Sequence, residues 1–503
     1  MLFRLRLLCL PLLVLAACGG SDTTEEAPQG LLVIAIDGLR ADHLDLFEYQ
    51  RETAPTLTEL AKDGLTVLEA YSASPRRLPS HAALLTGCDP LPVQRLVPTG
   101  IDKSLLGDLA WSWSIPDVYP SVAVEFLANG WETAGFFDHA NLSPVRGFRR
   151  GFAHFGTTTD EGPIYEPDDA GLHALSGQFL QWLRSIESNS SWFAYVQLDD
   201  LERCWSLPSY QWERYFRTED SGGTVPAVGN GNEVFHAIPR NRWRGVPLSI
   251  EEYIAFYDGH LRRLDNEVRR LMSGLDLEGV DENTTVVIVG STGVQFGEAG
   301  RILASGCYSM ADLHVPWIVR PSKQLKEAML AKGTKLDSLT SNIDLAPTLL
   351  DLAGLEIPHA MHGKSQWPVW RGETDAARTE CFACLGLLGG WSAIGEDWVL
   401  EHLDIDNLVD SGLQRGWAGG IQQGEPAWRA YERSAVRFPE LSYRDAPLEQ
   451  PDVADLRREA EAWYGRLGLV REVLRGSWIQ GQTTESTMKM LVDEGWIQAS
   501  LTE

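Results

Sequence analysis

The run Leu31-Leu32-Val33-Ile34-Ala35-Ile36, closed by Asp37-Gly38, constrains this chain more than any other segment. An unbroken apolar run without polar alternation describes a strand buried on both faces, the environment of a parallel sheet covered by helices on each side. It also delivers a carboxylate, Asp37, at its carboxyl end. Thr56 to Lys62, entered after Pro55 and stopped at Asp63-Gly64, has helical spacing, and a second helix is predicted from Ser80 to Thr86, with Pro79 before it and Gly87 closing it. Leu172, Leu175, Phe179, Trp182 and Leu183 form a helical stripe, and Trp192 to Leu198 reads as the next core strand. Glu251 to Met272 is a long helix stopped near Gly274, followed by the strand Thr285 to Val289. Strands alternating with helices at this spacing predict an α/β fold with a doubly wound, mainly parallel sheet. Ligands of such sheets sit at the carboxyl ends of the strands, where Asp37 and Ser291 fall.

Near Gly372 the pattern changes. Phe382 to Leu387 and Trp398 to His402 are short strand-like runs, Leu456, Ala460, Trp463 and Leu467 make a helical stripe, and another helix is expected around Thr487 to Asp493. The division is therefore an α/β domain over 31–375 and a smaller C-terminal α+β subdomain over 376–503, with an antiparallel sheet and packing helices. Residues 206–245, rich in Trp, Tyr, Gly and Pro, read as a long surface insertion. The chain has 18 tryptophans, which serve either core packing or carbohydrate stacking, and composition leaves both open.

The N-terminus reads as an export signal over 1–17: Arg4 and Arg6, then the apolar run Leu7 to Leu15, too short to span a membrane. Leu15-Ala16-Ala17-Cys18 matches the bacterial lipoprotein box, which makes Cys18 the expected lipidation site and 18–30 an acidic, flexible tether. An ordinary cleaved signal with Cys18 incidental is the alternative. The expected location is the bacterial cell envelope, anchored by lipid at the outer membrane or periplasmic face. Beyond Cys9 and Cys18 five cysteines remain, Cys88, Cys204, Cys307, Cys381 and Cys384, which allow at most two bridges. Cys381 and Cys384 have CxxC spacing without a thioredoxin-like setting, so a structural bridge or buried thiols is expected there. A net charge of −27 argues against nucleic acid as a partner.

Arg76-Arg77-Leu78-Pro79-Ser80-His81, followed by Ala-Ala-Leu-Leu-Thr-Gly, closely resembles the signature of the sulfatases, a family within the alkaline phosphatase superfamily. The resemblance extends over most of the chain. It includes Leu32 to Leu44, Ala54 to Ala61, Tyr257-Asp258-Gly259-His260 with Leu264-Asp265, Asn342 to Gly354, and Leu491 to Ile497. It implies the fold already read from periodicity. It also implies a divalent metal, usually calcium, held by aspartates of the first strand and an Asp-His or Asp-Asn pair of a later one, beside a nucleophile in the signature.

On that frame the nucleophile position is Arg77, and a guanidinium stays protonated and has no lone pair with which to attack sulfur or phosphorus. The first strand keeps Asp37, but its neighbouring aspartate is Gly38. Thr292 and Gly293 stand where the resemblance places the later carboxylate and imidazole, and Gly297-Glu298-Ala299-Gly300 follows. The family's Lys-x-His falls on Asp138 and Ala140, with His139 one place off register, and its substrate-facing histidine falls near Leu201, in Asp199-Asp200-Leu201. Without a metal, Arg77 is expected to pair with Asp37. A solvated basic turn at Arg76 and Arg77 is the alternative. His81 reads either as site lining, together with Ser80, or as a helix-start residue held by the backbone.

The expected function is that of a sulfatase-fold bacterial lipoprotein, catalytically impaired, which joins the membrane through its N-terminal lipid. It would bind an anionic or sulfated ligand such as a sulfated glycan, or a partner, with an anion docking on Arg76, Arg77 and the helix start at Ser80. No cofactor is expected in that case. The alternative is an active metal-dependent sulfuric or phosphoric ester hydrolase using Ca²⁺, with Ser72, Ser74 or Ser80 as nucleophile and Asp199 or Asp200 as metal ligand.

Overall fold

A computed structural model gives the fold and describes residues 27–90, 93–94, 113–115, 119–139, 141–158, 169–201, 250–296, 308–384, 390–403, 427–433 and 448–480. The apolar runs build one eight-stranded sheet. From edge to edge its strands are Thr334–Leu336, Leu65–Val67, Trp317–Arg320, Thr284–Gly290, Gly30–Ile36, Trp192–Leu198, Glu132–Phe137 and His154–Thr157. All run parallel except Trp317–Arg320, which pairs antiparallel with both neighbours. The first strand lies in the middle, fully buried, as its lack of alternation requires.

Helices cover both faces, and strand parity divides the core between them. Leu32, Ile34, Ile36, Val196 and Ile288 pack with the helices Pro55–Asp63, Asp169–Ser185 and Ile250–Leu277. Val33, Ala35, Tyr195, Val287 and Val289 face Arg77–Thr86, Val122–Ala128 and Leu345–Leu352. The arrangement is the doubly wound α/β fold.

Past residue 375 a separate four-stranded antiparallel sheet follows, ordered Cys381–Cys384, Gly390–Ile394, Trp398–Leu403, Ala427–Glu432. The helix Pro451–Gln480 lays Val453, Leu456, Ala460, Trp463 and Leu467 against it, with Trp463 stacked on Phe382 at 4.8 Å between ring centres. At the junction Arg378 inserts a buried guanidinium onto Asp344, with Nε 2.8 Å from Oδ2.

Three expectations are corrected. The helix predicted from Ser80 begins at Arg77, because Pro79 sits inside its first turn, where a missing N–H costs no hydrogen bond. The helix expected to stop near Gly274 runs on to Leu277. There the glycine serves packing: a Cβ at Gly274 would lie 2.3 Å from Leu180 Cδ2, so its absence lets two helices approach. The strands Gly390–Ile394 and Ala427–Glu432 were not expected, and the strand predicted from Phe382 runs Cys381–Cys384.

Cys88, Cys381 and Cys384 are buried free thiols. Cys381 and Cys384, three apart on one strand, project to opposite faces into different apolar clusters, which excludes a bridge between them. Four of the largest fully buried side chains are Trp192, Trp317, Trp370 and Trp391, so these tryptophans serve the core. No helix among the described residues is long and apolar enough to cross a membrane. The signal, Cys18 and most of the tether, Cys204, Cys307, the insertion expected over 206–245, Ala140, residues 297–300, and the segments around Thr487 to Asp493 and Leu491 to Ile497 lie outside the described residues.

Candidate functional site

Strand register assembles the site. Ile36 pairs with both Leu198 and Gly290, so the residues that follow, Asp37, Asp199 and Ser291, leave the sheet side by side. Two backbone bonds extend the ladder by one step: Asp37 N–H to Leu198 O at 3.0 Å and Ser291 N–H to Ile36 O at 2.9 Å. Because side chains alternate, Tyr195, Gln197 and Asp199 share one face of their strand, and Ala35 and Asp37 share the same face of theirs. The helix Arg77–Thr86 covers that face and brings Arg77 and His81 down on it.

Asp37 is the centre. It is fully buried, and each of its oxygens carries two partners. Oδ1 accepts from His81 Nε2 at 2.7 Å and from the Ser291 hydroxyl. Oδ2 accepts from Gln197 Nε2 at 2.7 Å and lies 2.6 Å from Arg77 Nε. Burial alone would raise the pKa of this carboxyl. The His81 and Arg77 side chains, with the hydrogen bonds from His81 and Ser291, outweigh burial and hold it well below the ordinary carboxylate range. The supports are fixed in turn. Gln197 Oε1 accepts the Asp138 N–H at 2.6 Å, which orients the amide so that its NH₂ faces Asp37. His81 Nδ1 faces the Tyr195 hydroxyl at 2.6 Å. Burial and the charge of Asp37 push the Tyr195 pKa well above 10, so this phenol remains protonated.

Arg77 turns inward. Its guanidinium bridges two carboxylates, with Nε on Asp37 and Nη2 2.8 Å from Asp199 Oδ1. Both carboxylates are buried, and the Arg77 side chain is 13% exposed. His139 Nε2 stands 4.0 Å from the other Asp199 oxygen. Arg76, by contrast, is exposed. The Ser80 N–H is bonded to Arg76 O at 3.0 Å, so the helix start expected to receive an anion at Ser80 has no backbone donor there. The docking surface read from Arg76, Arg77 and Ser80 is thereby corrected, since one arginine faces in, the other out, and the amide is spent.

Of the serines weighed as nucleophiles, Ser80 Oγ donates to Ser291 O at 2.6 Å, Ser72 Oγ donates to Ser74 O at 2.7 Å, and Ser74 Oγ accepts from the Arg76 N–H at 3.4 Å. All three are buried. The His81 contacts run through its imidazole, to Asp37 and to the Tyr195 hydroxyl. Asp200 alternates to the opposite side from Asp199 and is held by His260 Nδ1 at 3.0 Å and by Arg263. Thr292 is buried, and Gly293 N–H donates to Asp312 O at 2.8 Å. A Cβ at Gly293 would lie 1.9 Å from Ala311 O, so the backbone has closed over the position where the family resemblance expects an imidazole.

This donor set does not fit calcium. Ca²⁺ takes about six to eight oxygen ligands. Asp37 has about four lone-pair sites, of which three accept hydrogen bonds, and the Arg77 guanidinium sets a positive charge against the remaining side. No three His, Cys, Asp or Glu side chains among the described residues converge as a ligand set. Sequence reading missed Tyr195 and Gln197. The available signal was a polar amide and a phenol at alternate positions of an otherwise apolar strand.

Comparison with known proteins places this geometry in context. The sulfatase family model matches residues 29–355. A Δ4,5-hexuronate-2-O-sulfatase of Bacteroides thetaiotaomicron is 22% identical over 392 residues, spanning 71% of this chain and 75% of that one. A sulfatase of Formosa agariphila is 22% identical over 396 residues, spanning 68% and 74%. Among solved structures, the phosphonate monoester hydrolase of Agrobacterium radiobacter superposes with a TM-score of 0.61 at 16% identity, over 88% of this chain and 96% of that one, a likeness of fold.

Proposed function

The chain belongs to the sulfatase family, and we propose that it is a non-hydrolysing member, a lipid-anchored protein of the bacterial envelope that binds a sulfated ligand without turning it over. The observation that carries the reading is the place of Arg77. It occupies the signature position that the family resemblance assigns to the nucleophile, and its guanidinium is clamped between Asp37 and Asp199. A permanently protonated group cannot attack a sulfate ester, and the buried hydroxyls of Ser72 and Ser80 donate to backbone carbonyls.

The ligand class is read from the named activities of relatives. One of them is a 2-O-sulfatase of an unsaturated hexuronate, so a sulfated glycan is the first ligand to test. Arg77 is committed to Asp37 and Asp199, and the tryptophans within 206–245, which lie outside the described residues, are the candidate stacking groups for a sugar. Membrane attachment rests on Cys18 in the lipoprotein box.

The test pairs two measurements on the purified chain. Sulfate release from aryl sulfates and sulfated glycan fragments, with added Ca²⁺, is expected to stay at the uncatalysed level. Retention on immobilised sulfated glycan, lost on the desulfated glycan, is expected to be salt-sensitive. Turnover abolished by Ser80→Ala or Ser72→Ala would overturn the reading in favour of a hydrolase.

A further inference from the structure

We propose that Arg77 is the resident cation of this pocket. Its guanidinium stands in for a divalent ion between Asp37 and Asp199, and removing that side chain opens a divalent-cation site that the native chain lacks. The inference deepens the non-hydrolytic reading and rests on the same pocket.

Three observations carry it. First, two buried carboxylates emerge in register from adjacent parallel strands, and the rigid sheet cannot carry them apart. Two such charges in one dry pocket require a counter-cation. Second, the guanidinium supplies it to both: Asp37 Oδ2 at 2.6 Å from Nε and Asp199 Oδ1 at 2.8 Å from Nη2. The contact to Asp37 is an ion pair without hydrogen-bond geometry and that to Asp199 is a hydrogen bond, so with the guanidinium gone these two carboxylates would be left facing one another to hold an ion. The Ser291 hydroxyl stays bonded to the other Asp37 oxygen, Oδ1, and holds the carboxylate in place.

Third, the rest of the pocket is built around the guanidinium. Gln197 and His81 occupy the remaining acceptor positions of Asp37, and the backbone of Ala311 has closed against Gly293. The pocket therefore holds one cation of fixed identity, contributed by the chain. Folding needs no metal, and calcium has no entry while Arg77 is present. Arg77 acts here as a positioning and charge-balancing residue.

The experiment is calorimetric titration of the full chain with CaCl₂ and MnCl₂. The wild type and Arg77→Lys, which keeps a cation, are expected to give no saturable heat. Arg77→Ala is expected to bind one divalent ion, at least about ten-fold more tightly than the wild type, a difference of about 1.4 kcal/mol. Adding Asp37→Asn to Arg77→Ala should abolish that binding, which distinguishes the pocket from the acidic surface. A folded Arg77→Ala chain that binds no ion, or a wild type whose divalent binding is lost with Asp37→Asn, would overturn the proposal.

If Arg77→Ala does not fold, its melting decides the matter. Recovery of a cooperative transition by Ca²⁺, or by Asp37→Asn in the same chain, supports charge balancing, and recovery by neither refutes it. Sulfate release by a wild type that binds no metal would sink the non-hydrolytic reading while leaving this inference standing.

Discussion

Glu401 lies in the middle of the strand Trp398–Leu403 with no solvent exposure, and it offers a sharp test of how burial governs this chain. Its Oε1 accepts the Tyr431 hydroxyl at 2.6 Å, and Oε2 has no hydrogen-bond partner among the described residues. The opposite charge acting on it is Arg429, its cross-strand neighbour. Burial pushes the carboxyl pKa from 4.5 up to about 7, only partly countered by the Tyr431 hydrogen bond and Arg429. The folded state therefore holds a proton that the unfolded state releases above pH 4.5. The raised pKa makes folding most favourable when the group is protonated in both states. Stability is lost as pH rises from about 4.5 to about 7 and levels off above that. The full span is worth about 3 kcal/mol, of which about 2 kcal/mol falls between about pH 5.5 and pH 8. Glu401→Gln removes the titration. Urea unfolding of both chains across that range should show the variant gaining about 2 kcal/mol relative to the wild type as pH rises. A difference independent of pH would refute the reasoning, because it would mean that Glu401 ionises in the folded state at its ordinary value.

Three further outcomes follow from individual contacts. Gly293→Ala forces a Cβ to within 1.9 Å of Ala311 O, and urea unfolding should register a loss of about 1–3 kcal/mol, against no loss if that turn is free to move. Arg378→Met leaves Asp344 buried without its ion pair and should cost about 3–5 kcal/mol in the same assay. An unchanged midpoint would show that the junction between the two sheets does not depend on that pair. Burial pushes the Cys381 thiol up to about 12 and raises Cys88 as well, so maleimide labelling of these two should proceed only in denaturant. Rapid labelling of the native chain at either would contradict their burial.

Much of the architecture was readable because the strands are apolar without interruption. Leu31 to Ile36 and Trp192 to Leu198 end within a residue of their expected bounds, since nothing but a doubly covered sheet buries such runs. Asp37 and Ser291 were legible as strand-end residues, and Arg77 stood out through the sulfatase resemblance, as a cation at the position which that resemblance assigns to the nucleophile. Their meeting was harder to see. Tyr195, Gln197 and Asp199 converge on Asp37 and Arg77 only through the pairing of strands distant in sequence, and no local pattern encodes that register. The closing of Ala311 over Gly293 is a backbone path with no side-chain signature. The short strands Gly390–Ile394 and Ala427–Glu432 escaped because they draw on packing against neighbours more than on their own alternation.

In the proposed reading Arg77 supplies the cation at the place where the sulfatase resemblance implies a metal. That reading is tested most directly by elemental analysis of the purified wild-type protein, after dialysis against calcium-containing buffer and then metal-free buffer. Calcium, manganese, magnesium and zinc are all expected to remain far below one ion per chain. One tightly retained divalent ion per chain, lost on Asp37→Asn, would contradict it and return Asp37 to the role of a metal ligand.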